Sequence, residues 1–140
     1  MIELSRGRDW IIATLTASSA FTTNAPGGVH SGLAPTGTPT PYCVVTVQSG
    51  GVDVAGVAGI RLFTTPLYQV RVFGPATQYA AIVAAADAAD AVLQRAHGTT
   101  ADGTIMSCIR QSGLAIDEIV GTGVQWSSLG GLYRLQVRPS

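Results

Sequence analysis

The sequence predicts an α+β fold, a mostly antiparallel β-sheet with a long alanine-rich helix and a short N-terminal helix packed on one face. Three observations carry this expectation. Residues 68–72 and 133–138 alternate apolar and polar side chains with the period of two that marks half-buried strands. Residues 76–96 place Tyr79, Ile82, Val83, Ala86 and Leu93 at spacings of three, four and seven, the signature of an amphipathic helix. The order of such segments is helix, strand, strand, helix, strand, then a further strand or two.

A chain of 140 residues fits one domain, and at that length roughly two thirds of the unfolded surface can be buried without disulfides or metals. The expectation is a single domain over residues 1–140 with extended loops at 22–41 and 49–59.

Taken in order, RDWIIATLTASS (8–19) reads as the N-terminal helix, with Ile11 and Leu15 one turn apart and Trp10 or Ile12 widening the apolar face. Ser5 and Asp9 are its candidate caps. Its threonines lower intrinsic helicity, so it depends on packing. Residues 20–41 hold four prolines, four glycines and the only asparagine, with no sustained period. A connection of about 20 residues is long for a compact domain and belongs with functional, disordered or partner-bound segments. Pro41 pushes its predecessor toward an extended conformation and leads into YCVVTVQ (42–48), a strand with Cys43, Val45 and Val47 on one face.

Residues 49–59, SGGVDVAGVAG, offer four glycines, three valines and one charge. They read as a mobile arm or a twisted hairpin extension whose valines gain nothing from exposure to water. IRLFTTPLYQVRVF (60–73) resumes the strand pattern, and Pro66 marks an edge, a bulge or the division between two strands. Pro75 suits the first turn of the long helix and Gly98 its stop. Ten of the 21 residues in 76–96 are alanine, which permits close packing on a sheet or another helix. After a turn at 101–103, TIMSCIRQSG, LAIDEIV and GTGVQWSSLGGLYRLQVRPS supply the remaining strands, Tyr133, Leu135 and Val137 facing one way and Arg134, Gln136 and Arg138 the other.

Composition excludes several functions. Only 11% of residues are charged, against about 25% in an average chain. Eight acidic and eight basic residues cancel, so net charge supplies no long-range steering toward nucleic acid. Every basic residue is arginine, which removes a phosphate-loop lysine and Schiff-base chemistry together. Sparse charge suits a surface covered in an assembly. Cys43 and Cys108 lie in apolar strand-like runs and read as buried free thiols. The leading MIELSRGRDW adjoins no apolar signal core, and no run reaches the roughly 18 apolar residues of a membrane span, so the expectation is synthesis in the cytoplasm without membrane contact.

No catalytic, cofactor or metal site emerges. His30 and His97 belong to no ligand spacing, and His97 reads as a helix C-terminal residue. Asp87 and Asp90 share a helix face but read as a polar margin, and Asp117–Glu118 are adjacent and do not converge. The glycine stretches GGVHSG and SGGVDVAG lack the order and spacing of a dinucleotide fingerprint, and Ser107, Ser127 and Ser128 lack a nucleophile elbow. Arg61, Arg71, Arg134 and Arg138 sit in strands, where they contact phosphate, bridge subunits or merely face solvent.

Several marks, taken together, resemble the tail terminator or tail completion proteins at the head-to-tail junction of long-tailed bacteriophages and related gene-transfer particles. They are the N-terminal helix, Gly32-Leu33-Ala34-Pro35 before Pro41-Tyr42-Cys43-Val44-Val45, and the spacer around Asp53 and Gly56. Tyr68-Gln69-Val70-Arg71-Val72, the helix with Ala85, Asp87, Ala88, Ala91, Val92 and Leu93, and Tyr133-Arg134-Leu135-Gln136-Val137 complete them. The resemblance covers nearly the whole chain through individually unspecific pieces.

It implies a virion structural protein that is not an enzyme and needs no cofactor. Such a protein is a subunit of a homo-oligomeric ring, a hexamer, that stops the tail tube, meets a head connector or stopper protein and passes DNA non-specifically through its lumen at the tail–neck junction. Candidate subunit or partner contacts are Val52, Asp53, Val54, Val57, Arg61, Pro66, Arg71, Arg134 and Arg138. The competing readings are a head-side connector or other minor tail protein and, in a different class, a small oligomeric ligand-binding domain or enzyme with a pocket beside residues 22–41.

Overall fold

The computed structural model describes residues 2–121 and 123–139. Two helices, α1 (Ile2–Thr16) and α2 (Ser19–Asn24), precede β1 (Val29–Ser31) and β2 (Tyr42–Ser49). A short hairpin, β3 (Asp53–Ala55) and β4 (Arg61–Thr64), leads into β5 (Leu67–Pro75) and the long helix α3 (Tyr79–Leu93), which a 3₁₀ turn over Ala76–Gln78 opens. The chain closes with β6 (Gly98–Thr100), β7 (Gly103–Val120) and β8 (Val124–Pro139).

All eight strands form one sheet, antiparallel except where β1 runs parallel to β2. Its centre is β8. One edge of β8 pairs with β7 along its whole length, and the other pairs first with β5 and then, past Pro66, with β4. The proline has no N–H to give, but its carbonyl accepts from Leu135 N at 3.0 Å, so the strand division leaves β8 paired.

Sequence alternation sets the layers. Tyr68, Val70 and Val72 of β5, Cys43 and Val45 of β2, and Tyr133, Leu135 and Val137 of β8 point to one face. There they join Ile11 and Leu15 of α1, Phe21 of α2 and Ile82, Ala85, Ala89 and Leu93 of α3 in one buried cluster. The helices therefore cover a single face, as the sequence predicts. Both cysteines are free and buried, and desolvation pushes each thiol up to about 12.

The helices differ in detail from the sequence expectation. α1 starts at Ile2 rather than at residue 8, running through Gly7, whose intrinsic cost in a helix is about 1 kcal/mol. A Cβ at Gly7 would collide with the Tyr68 hydroxyl, which donates to the Leu4 carbonyl at 2.6 Å. The glycine thus lets α1 lie against β5. α2, unseen in the sequence pattern because six residues are too few for periodicity, is held by the Ser18 side chain capping Phe21 N at 3.3 Å and by the buried Phe21 ring. On α3 the buried stripe is Ile82, Ala85, Ala89 and Leu93, so Tyr79 and Val83 fall to one side of it.

Candidate assembly surfaces

Among the described residues no three His, Cys, Asp or Glu side chains gather as a metal site. His30 donates from Nε2 to the Gly27 carbonyl at 2.7 Å, and His97 is exposed beyond α3. Asp90 accepts the Tyr133 hydroxyl at 2.8 Å and lies 3.6 Å from Arg110. Burial, reinforced by the Asp90 carboxylate, raises the Tyr133 phenol well above its ordinary value. What the fold displays instead are three surfaces.

The first is the β3–β4 arm, at the end of the molecule where β8 finishes. Only three rungs join its strands, Asp53–Thr64, Val54–Phe63 and Ala55–Arg61. Val52, Val57, Ile60 and Leu62 are exposed, Val57 to 96%. At the root, Gly51 takes φ +71° with the Thr65 carbonyl where a Cβ would sit, and Val52 and Thr65 exchange backbone and hydroxyl bonds at 3.1–3.3 Å. Arg61 ties the arm to α1 through Glu3 at 3.0 Å and braces the arm internally through Asp53 at 3.1 Å.

The second surface is the distal part of the β7–β8 hairpin with the adjoining side of α3. Backbone pairing continues to Val120–Val124, and Gly123 N closes the turn on the Val120 carbonyl at 2.8 Å. The outer edge of β7 is covered at first by β6, then by Arg95 N on the Cys108 carbonyl and by Gln94 Oε1 on Arg110 N, each at 2.8 Å. From Gln111 to Val120 no described strand pairs with that edge. Beside it runs a groove of about 360 Å³ between α3 and the hairpin. Its walls include Tyr79, Val83, Leu114 and Leu129, and its floor is kept low by Gly113, Ala115 and Gly130. Asp87 lies at its rim, and Asp117 and Glu118 follow along β7.

The third surface is the sheet face turned away from the helices. Tyr42 stacks on Phe73 at 5.8 Å and tilts against Trp126 at 6.2 Å, with His30 edge-on at 6.4 Å. The Arg71 guanidinium lies 4.6 Å above the Phe73 ring and donates to Ser128 Oγ at 2.6 Å. Desolvation, with Glu118 adding, raises the Tyr42 phenol.

Of the residues singled out from sequence, Val52, Asp53, Val54, Val57 and Arg61 come together in the arm, and Pro66 is buried at its root. Arg134 reaches the same root, donating to the Thr65 carbonyl at 2.6 Å and to Gln111 Oε1 at 3.2 Å. Arg138 is exposed four residues further along β8. Arg71 stands apart, among the aromatic rings. The groove residues were missed. Tyr79 and Val83 are indistinguishable from core positions by helical spacing, and the only available signal was LAIDEIV, which shows no alternation and carries apolar side chains on both faces of an exposed strand.

No family model and no curated protein matches the chain. Among solved structures, a chain of the virion of a native gene transfer agent (GTA) particle has a similar fold, with a TM-score of 0.70, 17% identity and 91% of each chain covered. A second solved chain covers 97% of this one at 15% identity with a TM-score of only 0.43.

Proposed function

We propose that this protein is a virion structural subunit that assembles into a closed ring, a hexamer, at the end of a phage-like tail. The ring terminates the tube, presents its other side to the head connector and leaves a lumen through which DNA passes. The observation that carries this reading is the fold shared over 91% of both chains with a gene transfer agent virion chain. The surfaces fit it. An isolated small domain rarely leaves an apolar arm, an unpaired strand edge and an apolar groove all uncovered, whereas a ring of identical subunits covers unlike patches against each other.

Weak, non-specific contact with DNA fits the charge balance. Eight acidic and eight basic residues cancel, and Arg61 is held by Glu3 and Asp53 rather than offered to phosphate. Tight, strongly salt-dependent DNA binding by the isolated protein would count against a passive conduit.

The direct test adds purified protein to growing tail tubes. Capped ends of fixed length with a ring at one terminus support the reading; tubes that lengthen unchanged in its presence defeat it.

A further inference from the structure

We propose that the β3–β4 arm of one copy seats in the groove between α3 and β7 of the next copy, adding its free β3 edge to the unpaired edge of β7. The contact rests on the ring reading and specifies the seam within it.

Three observations converge on a second copy as the occupant. The first is backbone. β3 pairs only with β4, and the outer edge of β7 has no described strand partner from Gln111 to Val120, so each offers a row of N–H and C=O groups that a strand from another chain would satisfy.

The second is shape. Val57, Ile60 and Leu62 stand exposed on the arm, while the groove is walled by Tyr79, Leu114 and Leu129 over a floor of small residues. Apolar surface of this kind gains about 25 cal/mol per Å² when it leaves water.

The third is charge. Arg6, Arg8, Arg61 and Arg110 have acidic partners within the chain. Among the described residues, Asp87, Asp117 and Glu118 have no arginine within ion-pair distance; Asp87 borders the groove, and Asp117 and Glu118 lie further along β7 toward the hairpin tip. Arg134 and Arg138, which also lack acidic partners there, flank the end of β8 from which the arm departs. Arg110, which also lines the groove, is taken up by Asp90, and Arg61 on the arm by Glu3 and Asp53, so the unpaired arginines at the arm-bearing end of one molecule are complementary to the unpaired carboxylates beside the groove of another.

The arm cannot reach its own groove. Its root pairs at Val137 and the groove lies at Gly130 on the same strand, about 23 Å away at the rise of a β-strand, and β4 runs from that root in the opposite direction. The two patches are different surfaces of one chain, so the contact is heterologous and propagates until it closes.

The test places a photo-crosslinking residue at position 57 of the full-length protein and maps products by mass spectrometry. Intermolecular links to residues 79–87 or 111–117 are expected; links elsewhere, or none between copies, overturn the seam. In parallel, Glu118→Arg and Arg138→Glu, both at exposed positions, should each weaken self-association about tenfold, and the two combined should recover most of it. Independent, additive losses overturn the pairing. A wild-type protein that forms closed rings while position 57 links elsewhere refutes this seam alone. Failure to associate with or without tail tube protein refutes the ring as well.

Discussion

The β3–β4 arm and the distal β7–β8 hairpin leave the body at opposite ends of β8 and share a composition rich in glycine and aliphatic residues, yet they are held by different forces. The distal hairpin is a continuation of the sheet's longest ladder, paired rung by rung to Val120–Val124. Three rungs, the Thr65–Val52 bonds and the Arg61 ion pairs hold the arm. Side chains alone would not distinguish them. What differs is how much backbone pairing each inherits from the body, which makes the hairpin a rigid receptor and the arm a weakly held insert.

The two should respond differently to perturbation of the body. The largest effect is expected from alkaline pH. Cys43 and Cys108 are held neutral, burial pushing their thiols up to about 12, and burial also raises the Tyr68 phenol. A folded-state pKa above the unfolded value gives stability that is complete below the unfolded pKa and is lost as pH climbs through the folded one. Thermal or denaturant stability should thus hold up to about pH 9 and fall steeply toward pH 12, taking the hairpin with the body. Cys43→Ala should flatten part of that fall.

Next in size is Leu135→Ala. This side chain is fully buried in the second half of β8, between the roots of both hairpins. Its loss should cost about 2–5 kcal/mol of unfolding free energy, with hydrogen exchange rising in both hairpins together.

Gly51→Ala separates them. At φ +71°, with the Thr65 carbonyl in the way, a methyl group strains only the arm root. A local loss of about 1–3 kcal/mol is expected, read as faster exchange over 52–64 with β7 and β8 unchanged. Equal acceleration in β7–β8 would mean that the arm is part of the cooperative body.

The smallest effect belongs to Arg61→Ala. Arg61 is nearly half exposed, so solvent screens its two ion pairs and about 0–1 kcal/mol is expected. The change should disappear at high salt and be confined to the arm.

Much of this architecture is legible in the sequence where one residue pattern meets one environment. β5 and the end of β8 alternate because one face is buried and the other open, and α3 is marked by its alanines. Legibility fails where tertiary contact outweighs local preference. Gly7 hides the first turns of α1 until the Tyr68 hydroxyl is placed against it. Phe21 gives no period, although its burial and the Ser18 cap are enough for α2. The arm stands out as apolar residues without a pattern, but its receptor does not, because Tyr79 and Val83 have core spacing and become a groove wall only when the outer edge of β7 is seen to run past α3 without a strand partner.

The central claim is a closed ring of identical subunits, and the absolute mass of the purified protein over a concentration series, alone and with tail tube protein, tests it most directly. A single discrete species of six subunits, appearing in solution or on the tube end, is the predicted result. A monomer at every concentration under both conditions, or chains that grow without closing, would contradict it.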